Sequence, residues 1–402
     1  MTKAKDKLHL AVFNTQPPLF LGGVERRILE TAKYLKTNVD TTVYSGTKAG
    51  LKKVTHLNDV TLVPCLSTDK IFPIDNWTFN QTLYRNASKI RADVYETHTA
   101  SGYGLIKALK KQKNNNPIIQ VVHGVLADEY AQAKLSKNLS VKQKLANILM
   151  WQLAKHEEQA ANQATLIVTI SQYSKVKLLQ YYQVDASKIR LIPNGVDTDR
   201  FTPIGEYEKI RQQIKLGNRK MVLCVGRLIL RKGINYLIEA AKQITKEYTN
   251  ILFVLVGNGP LRNQLEFEIT SAGLNKNFQF LGDVSEEDLP KIYRCADVFV
   301  LPSIQEGQGI VLLEAQASGK PVVAFNISGV TEALQNNQTG FLVKPRSSDD
   351  LAQVILKLLS DAPLREKMGA KGREFVLHNL SWDITAKKQY SVYKEAIEIT
   401  KS

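Results

Sequence analysis

The stretch that decides the fold reads Asp297-Val-Phe-Val-Leu-Pro-Ser303 and then, after two further residues, Glu306-Gly-Gln-Gly-Ile-Val-Leu-Leu-Glu314. Its first part is a continuous apolar run, which is typical of a parallel strand buried on both faces. A helix is predicted from Ile310, because apolar residues and Glu314 recur there at helical spacing. A strand, a glycine turn and a helix in this order indicate an α/β fold.

The glycine turn is a candidate anion site. The first amides of a helix lack intrahelical acceptors, so those near Gly309, Ile310 and Val311 would suit a phosphate. Glu306 would lie at the carboxyl end of the strand, where open α/β sheets bind ligands. Glu314, one helical turn further on, could reach a sugar hydroxyl. On spacing alone, a solvated glutamate beside an ordinary helix N-terminus remains the alternative.

Apolar strand-like runs alternate with helix-length segments along the whole chain, which indicates parallel sheets covered on both faces. The 402 residues are too many for one ordinary core, so two α/β domains in tandem are expected. Asn194-Gly-Val-Asp197 is a strong turn signal between the two strand–helix series, and we place the join there. The predicted helices are 24–35, 104–111, 141–161, 172–181, 233–249, 261–272, 285–295, 310–317 and 351–359.

The composition, with 44% apolar and 23% charged residues, is that of a soluble globular protein. No run of 18 apolar residues suggests a membrane span, and the first residues lack the apolar core of a signal peptide. The three cysteines are scattered, which favours reduced thiols. We therefore expect a cytoplasmic protein.

The net charge of +16 is concentrated in the first half, where residues 1–196 carry 27 Lys and Arg against 14 Asp and Glu. Such a field attracts anionic membrane surfaces and other polyanions. A basic amphipathic helix is the most specific sign of this. Its lysines, 134, 137, 142, 144 and 155, bracket apolar residues that include Leu145, Ile148 and Trp151. A helix facing the core with solvated lysines is the alternative.

Two glycine-bounded loops follow predicted strands. Gly226-Arg-Leu-Ile-Leu-Arg-Lys-Gly233 carries Arg227, which could bind two oxygens of an anion at once, and Lys232, which could supply a compact positive charge. Gly22-Gly-Val-Glu25 permits a ligand to approach the backbone closely, but lacks the spacing of a dinucleotide loop. The alternative for the first loop is that its basic side chains are ordinary surface residues. The alternative for the second is a loop that only initiates a helix.

Two histidines end predicted strands. His123 follows the apolar run 118–122 and precedes Gly124, whereas His98 ends another strand and is the weaker candidate. A histidine at such a position is more often structural than catalytic.

Taken in order, these segments resemble the donor-site signatures of the retaining GT-B glycosyltransferases of group 1, the GT4-like family. The resemblance covers nearly the whole chain and is strongest over 221–345, although the family often has an aromatic residue where this chain has Gln308. It implies an α/β fold of two Rossmann-like lobes with a cleft between them. The first lobe, 1–196, would bind the acceptor, the second, 197–382, would bind the nucleotide-sugar, and a helix at 383–402 would cross back to the first lobe.

The resemblance also implies roles for individual residues. Glu306 and His123 match residues that contact the transferred sugar, and Glu314 matches the carboxylate that binds the ribose. Arg227 and Lys232 match the basic pair on the pyrophosphate. The donor-binding positions implied in addition are Gly22, Gly23, Gly226, Gly257, Val284, Gly309, Ile310 and Val311.

The expected activity is retaining transfer of a hexose or N-acetylhexosamine from an NDP-sugar to a polysaccharide, glycolipid or other acceptor. Since Arg227 and Lys232 supply positive charge, neither a metal nor another cofactor is expected, and the carboxylate pairs Asp197/Asp199 and Asp349/Asp350 lie outside the predicted donor site. The expected partners are the NDP-sugar, a carbohydrate or lipid-linked acceptor and an anionic membrane surface on which the protein would lie peripherally.

Three other functions remain as alternatives. They are a nucleotide-sugar epimerase of the same fold, a non-catalytic carbohydrate-binding protein, and a basic nucleic-acid-binding protein. No nucleic-acid recognition motif accompanies the basic charge, so nucleic acid is not an expected partner.

Overall fold

The computed structural model describes residues 7–19, 22–47, 50–68, 74–134 and 141–401, with the side chains of all but 133 and 141–147. The chain divides into two compact units. The first is Met1–Pro193 together with Trp382–Ser402, and the second is Asn194–Ser381.

The first unit is built on one sheet. Its described strands are β1 (Leu8–Asn14), β2 (Val39–Gly46), β3 (Thr55–Leu57), β4 (Val60–Cys65), β5 (Val94–His98), β6 (Ile118–Val122), β7 (Leu166–Thr169) and β8 (Ile189–Leu191). Their spatial order is β3-β4-β2-β1-β5-β6-β7-β8, and neighbours pair in parallel except β3 with β4. Because the strands are parallel and in register, Asn14, His98 and His123 come together where β1, β5 and β6 end.

Helices cover this sheet, and the last of them comes from the far end of the chain. They are α1 (Gly23–Leu35), α2 (Ile74–Asn86), α3 (Tyr103–Lys111), α4 (Leu126–Lys134), α5 (Val141–Gln163), α6 (Gln172–Tyr182) and α14 (Trp382–Lys401). Ala386 and Tyr393 of α14 pack with Ile28 of α1 and with the apolar side chains of β1 in one buried cluster. The C-terminal helix therefore returns to the first lobe, as predicted.

The second unit is a smaller sheet of the same kind. Its described strands are β9 (Lys220–Val225), β10 (Ile251–Val256), β11 (Phe278–Gly282), β12 (Val298–Leu301), β13 (Val322–Phe325) and β14 (Gly340–Val343). The order is β11-β10-β9-β12-β13-β14, with parallel pairing throughout. Val222 and Leu223, adjacent on β9, belong to different apolar clusters on opposite faces, which is why these strands are apolar throughout.

The helices of the second unit lie between its strands and after them. They are α7 (Glu208–Gln213), α8 (Ile234–Glu247), α9 (Arg262–Ser271), α10 (Asp288–Cys295), α11 (Ile310–Ala317), α12 (Ser348–Ser360) and α13 (Ala362–Asn379). Two parallel α/β units confirm the predicted fold class, and α11 begins at Ile310 as the spacing indicated.

Among the helices that the structure describes, α2, α4, α7 and α13 were not predicted. In α2, Asn76 and Asn80 are buried, so polar residues occupy the face that a hydrophobic pattern would mark. In α13, two glycines weaken the helical signal. A Cβ on one of them, Gly369, would lie 2.0 Å from the carbonyl oxygen of Gly319, so close packing requires the glycine.

Candidate active site

The loop after β9, residues 226–233, lies against the loop after β12, residues 302–309. We call them the basic loop and the acidic loop. A Cβ on Gly233, which has a φ of +60°, would lie 2.1 Å from the Pro302 carbonyl oxygen, so only glycine allows this approach. The amide of Ile304 donates to the carbonyl oxygen of Arg231 at 2.8 Å. Because β9 and β12 are neighbours, the basic loop and the acidic loop are joined through their backbones.

Glu306 and Lys232 form a direct ion pair at this point. The Lys232 ammonium contacts Oε1 of Glu306, and the hydroxyl of Ser303 donates to the same oxygen at 2.8 Å. Nη1 of Arg231 lies 3.5 Å from Oε2. Burial alone would raise the pKa of Glu306, but the two cations and the hydrogen bonds outweigh it and hold the pKa below the ordinary value. Glu306 is therefore an ionised carboxylate, and its side chain is only 9% exposed.

Arg227 differs from Lys232 in its surroundings. Its side chain is exposed and, within the described residues, makes no hydrogen bond or ion pair. Arg231, also exposed, donates to the Gln305 carbonyl oxygen at 3.3 Å as well as contacting Glu306. The loop thus carries two cations in contact with Glu306, Lys232 and Arg231, and a third, Arg227, whose guanidinium is open to a ligand.

The N-terminus of α11 lies at Ile310, shortly after Glu306 in the sequence. Gly309 is its N-cap residue with a φ of +86°, in the left-handed region that favours glycine, and Ile310 and Val311 form the first turn. Helix geometry leaves the first amides without intrahelical acceptors, which makes this end a place for an anion.

Glu314, on the second turn of α11, is buried and accepts a hydrogen bond from the hydroxyl of Tyr293 at 2.8 Å. That hydroxyl also lies 3.4 Å from the Val311 carbonyl oxygen. Sequence reasoning missed Tyr293, because an aromatic residue on the apolar face of α10 looks the same as a core residue.

Gln308 is buried and is hydrogen-bonded to the backbone at both ends of its amide. Its Oε1 accepts from the Asn194 amide at 2.8 Å, and its Nε2 donates to the Asn194 carbonyl oxygen at 3.3 Å. Where the family often has an aromatic residue, this chain therefore has a side chain that ties the acidic loop to the first residue of the second unit.

The other predicted positions of the second unit lie on adjacent strand ends. The amide of Gly257 donates to the Gly282 carbonyl oxygen at 2.7 Å, and a Cβ on Gly257 would lie 2.3 Å from the Gly226 carbonyl oxygen. Val284 is partly buried against the apolar cluster on one face of the sheet. The ends of β9, β10 and β11 thus bring Gly226, Gly257 and Val284 to the same edge as the acidic loop.

In the first unit, the glycine loop leads into α1. Gly22 is the N-cap residue and Gly23 begins the helix. Glu25 is buried and accepts from Nδ2 of Asn14, at the end of β1, at 2.8 Å. Burial raises the pKa of Glu25, and the hydrogen bonds only partly oppose this.

His123 and His98 are in direct contact. Nδ1 of His98 lies 2.9 Å from Nε2 of His123, and Nε2 of His98 lies 3.0 Å from Oε1 of Glu96. His98 is fully buried, whereas His123 is partly exposed. Burial, followed by the nearby charges of His98 and Arg27, holds the pKa of His123 well below its ordinary value. Sequence reasoning named both histidines but missed Glu96, because an acidic residue inside an apolar strand gives no sign of its partner.

The carboxylate pairs considered for a metal have structural roles. Oδ1 of Asp197 accepts from the amides of Asp199 at 3.2 Å and Arg200 at 3.0 Å, which caps a turn. Asp349 lies in the first turn of α12 and accepts from Gln243. Across the described residues, no group of three or more His, Cys, Asp or Glu side chains is placed to hold a metal ion.

The basic amphipathic helix is described only in part. Residue 137 and the side chains of 142, 144 and 145 lie outside the described part of the chain. Among the described side chains of this helix, Ile148 is 57% exposed and Trp151 is 48% exposed. The Lys155 ammonium lies 3.0 Å from a carboxylate oxygen of Glu158. None of the helices that the structure describes is both long enough and apolar enough to span a bilayer.

The chain matches the family described as Glycosyl transferases group 1 over residues 206–375 and the family described as Glycosyltransferase Family 4 over residues 21–200. It is 31% identical over 290 residues to the UDP-Gal:alpha-D-GlcNAc-diphosphoundecaprenol alpha-1,3-galactosyltransferase of Escherichia coli, a match covering 70% of each chain. The chain belongs to the group 1 glycosyltransferases. Glu306 lies within the range matched by the first family model and His123 within the range matched by the second.

Another group 1 relative is the GDP-mannose-dependent alpha-(1-6)-phosphatidylinositol monomannoside mannosyltransferase of Mycobacterium tuberculosis, 36% identical over 231 residues. That match covers 56% of this chain and 60% of the relative, so it spans less than two thirds of that protein. The fold is similar to that of sucrose-phosphate synthase from Thermosynechococcus elongatus, with a TM-score of 0.83, 22% identity, and coverage of 98% of this chain and 100% of that chain.

Proposed function

We propose that this group 1 glycosyltransferase moves a hexose or N-acetylhexosamine from an NDP-sugar to a carbohydrate or lipid-linked acceptor, with retention of configuration. The observation that carries the proposal is the largely sheltered Glu306–Lys232 ion pair, with side chains 9% and 14% exposed, beside the N-terminus of α11. An ionised carboxylate, a cation paired with it and the N-terminal amides of α11 lie close together in sequence and structure here. A sugar and its diphosphate need these three kinds of group.

The donor roles follow from these surroundings. The amides near Gly309 and Ile310 and the open guanidinium of Arg227 would hold the diphosphate, and Lys232 would stabilise the charge that grows as the sugar departs. Glu306 would accept from sugar hydroxyls. Glu314, oriented by Tyr293, would bind the ribose. With these cations in place we propose that no divalent metal is needed.

Retention needs attack on the face from which the nucleotide leaves. We propose that the departing phosphate takes the proton of the acceptor hydroxyl, because Glu306 is paired with Lys232 and is thereby a poor nucleophile. In this scheme the bond from the anomeric carbon to the phosphate oxygen breaks as the bond to the acceptor oxygen forms.

The acceptor is proposed to be carried by a lipid. The Escherichia coli and Mycobacterium tuberculosis relatives are named for a diphosphoundecaprenol and a phosphatidylinositol acceptor. The basic first half of this chain and the exposed Trp151 would suit an anionic surface that bears such a lipid. The same two names specify UDP and GDP, so both bases belong in a first donor screen.

The test is hydrolysis and transfer measured over UDP-, GDP- and ADP-sugars, with release of the nucleoside diphosphate as the readout. Arg227→Ala and Lys232→Ala should each lower the rate by roughly 100-fold, since each removes charge stabilisation of about 3 kcal/mol in the transition state. Arg346→Ala, a basic residue outside the site, is the matched control and should be unaffected. Wild-type turnover by the folded double variant Arg227→Ala/Lys232→Ala would refute the assignment.

A further inference from the structure

A continuous set of buried polar groups joins the C-terminal helix to His123. On α1, Nη2 of Arg27 donates to Oε1 of Gln389 at 2.9 Å, and Nε2 of Gln389 then donates to Oε2 of Glu96 at 2.9 Å. The hydroxyl of Tyr393 donates to the same Glu96 oxygen at 2.7 Å. Arg27, Gln389 and Tyr393 are all buried, so water does not compete for these hydrogen bonds.

The direction of each hydrogen bond is fixed by the group at its start. Arg27 can only donate, so Gln389 presents its oxygen to Arg27 and its amide hydrogens to Glu96. Burial alone would raise the pKa of Glu96, but His98, Tyr393 and Arg27 outweigh it and lower the pKa. Glu96 is thus ionised and can only accept, so Nε2 of His98 carries a proton.

The consequence reaches the outer nitrogen of His123. When the two rings are uncharged, Nδ1 of His98 is unprotonated, so His123 must donate from Nε2 and has a lone pair on Nδ1. When the His98–His123 pair takes up one proton, Nδ1 of His123 is protonated. This holds whether the proton between the two rings lies on Nδ1 of His98 or on Nε2 of His123. Nδ1 has no hydrogen-bond partner among the described residues, so it is the atom open to a ligand.

We propose that Glu96 and His98 are positioning residues that fix the tautomer of His123, so that its Nδ1 accepts a hydrogen bond from a substrate hydroxyl when the histidine pair is uncharged. The role of His123 toward a sugar rests on the proposed function, whereas the tautomer relay does not. Through Gln389 and Tyr393, helix α14 orients the carboxylate on which the relay depends.

The groups that could change the protonation of the pair come from several elements. Glu25 and Arg27 lie on α1, Glu96 on β5 and Tyr393 on α14. Burial and the adjacent Glu96 raise the pKa of Tyr393 well above its ordinary value, so its hydroxyl stays protonated. Burial raises the pKa of Glu25, so any titration of Glu25 must be separated from that of the histidines.

Glu96→Gln gives a sharp test of the relay. Gln389 and Tyr393 still donate toward the former Oε2, so the new amide places its oxygen there and its NH₂ group against Nε2 of His98. That nitrogen must then accept, Nδ1 of His98 becomes the donor, and His123 moves its proton to Nδ1. One substitution of nearly equal size therefore reverses the tautomers of two rings, and it also removes the negative charge of Glu96.

Nitrogen-15 NMR of the imidazoles reads the tautomers directly. In the wild-type protein, at a pH high enough that the shifts have stopped changing, His123 should be protonated at Nε2. In Glu96→Gln it should be protonated at Nδ1. Glu395→Gln, on the same helix but paired with Arg190, is the matched control and should keep the wild-type tautomers.

A folded Glu96→Gln protein that keeps His123 protonated at Nε2 would overturn the proposal. If that variant does not fold, the wild-type spectrum decides, because Nδ1 protonation of His123 beside an uncharged His98 contradicts the relay. In the transfer assay, Glu96→Gln should lower kcat by about 10- to 100-fold with little change in the donor KM. Wild-type protein inactive toward every nucleotide-sugar would refute the proposed function and leave the NMR result intact.

Discussion

At the scale of residues, the candidate site residues of each unit are organised by carboxylates, and the surroundings of these carboxylates differ. Glu306 is ionised by its two cations, and Glu314 is buried and held by the Tyr293 hydroxyl. Glu96 is ionised within the first unit and has only buried partners. The same residue type therefore suits a sugar contact, a ribose contact and the orientation of a histidine, because the neighbours decide what each carboxylate can do.

Glu306→Ala and Glu314→Ala should have different effects on nucleotide binding. Glu314→Ala should weaken the affinity for the free nucleoside diphosphate by roughly tenfold or more, since the ribose would lose its proposed hydrogen-bond acceptor. Glu306→Ala should suppress transfer but leave that affinity nearly unchanged, because its proposed partner is the sugar and Lys232 remains. Calorimetry with UDP and GDP measures both. Tyr293→Phe is the control: it keeps both the Glu314 carboxylate and the packing of the aromatic ring, and it removes only the hydroxyl that contacts Glu314. Equal losses of affinity in the two glutamate variants would show that their roles are misassigned.

At the scale of elements, hydrogen bonds to one buried carboxyl group hold three helices of the first unit together. The N-terminal amide of α4, that of Leu126, donates to Oε2 of Glu157 on α5 at 2.9 Å, and the Tyr182 hydroxyl of α6 donates to the same oxygen at 2.6 Å. Glu157 is fully buried, and burial raises its pKa to about 8 from an ordinary 4.5. One carboxyl group therefore joins α4, which begins just after His123, to two other helices.

Glu157 makes stability depend on pH. A raised pKa means that the folded state binds the proton more tightly than the unfolded chain does. The contribution is complete below pH 4.5 and is lost as pH rises to about 8. Between pH 5 and 7 the unfolding free energy should fall by about 3 kcal/mol on this account. Glu157→Gln cannot titrate and should remove that slope in chemical denaturation, whereas the neighbouring Glu158→Gln should keep it. An unchanged slope in Glu157→Gln would contradict the assigned pKa.

At the scale of the whole molecule, the positive charge is unevenly distributed. Residues 1–196 carry an excess of 13 positive charges, against 3 for 197–402. A long-range field of this kind attracts an anionic surface and weakens in salt, while exposed aromatic side chains add contact at short range. The proposed lipid-linked acceptor would use both effects.

The protein should sediment with anionic vesicles at low salt and less as the Debye length falls from about 10 Å at 0.1 M to about 3 Å at 1 M. Trp151→Ser and the double change Lys142→Glu/Lys144→Glu should each weaken binding several-fold while leaving donor hydrolysis unchanged. Phe267→Ser, at an exposed apolar residue of the second unit, is the matched control. Failure of the wild-type protein to bind anionic vesicles at low salt would remove the membrane proposal and leave the donor chemistry standing.

Much of the fold was predictable from the sequence because parallel α/β sheets impose strong local patterns. Strands buried on both faces must be apolar throughout, as in β10 and β12, and glycine is needed where the chain turns closely, as at Gly233 and Gly309. The order of these patterns was enough to predict two α/β lobes and the helix start at Ile310. Helices with buried asparagine or glycine, such as α2 and α13, lack that pattern and escaped prediction.

The sequence by itself determined which chemical groups stand at the strand ends or in the segments that follow them: His98, His123, Lys232, Glu306 and, on helix α11, Glu314. Only the tertiary structure decided their partners, because most of these come from other helices, strands or loops. Tyr293 reaches Glu314 from another helix, Asn194 binds Gln308, and Gln389 and Tyr393 orient Glu96 from nearly 300 residues away in sequence. Local spacing specifies a helix or a strand through nearest-neighbour sterics and hydrogen bonds. The ionisation and tautomer of a buried side chain depend instead on charges and donors that only the packed fold brings within about 3 Å.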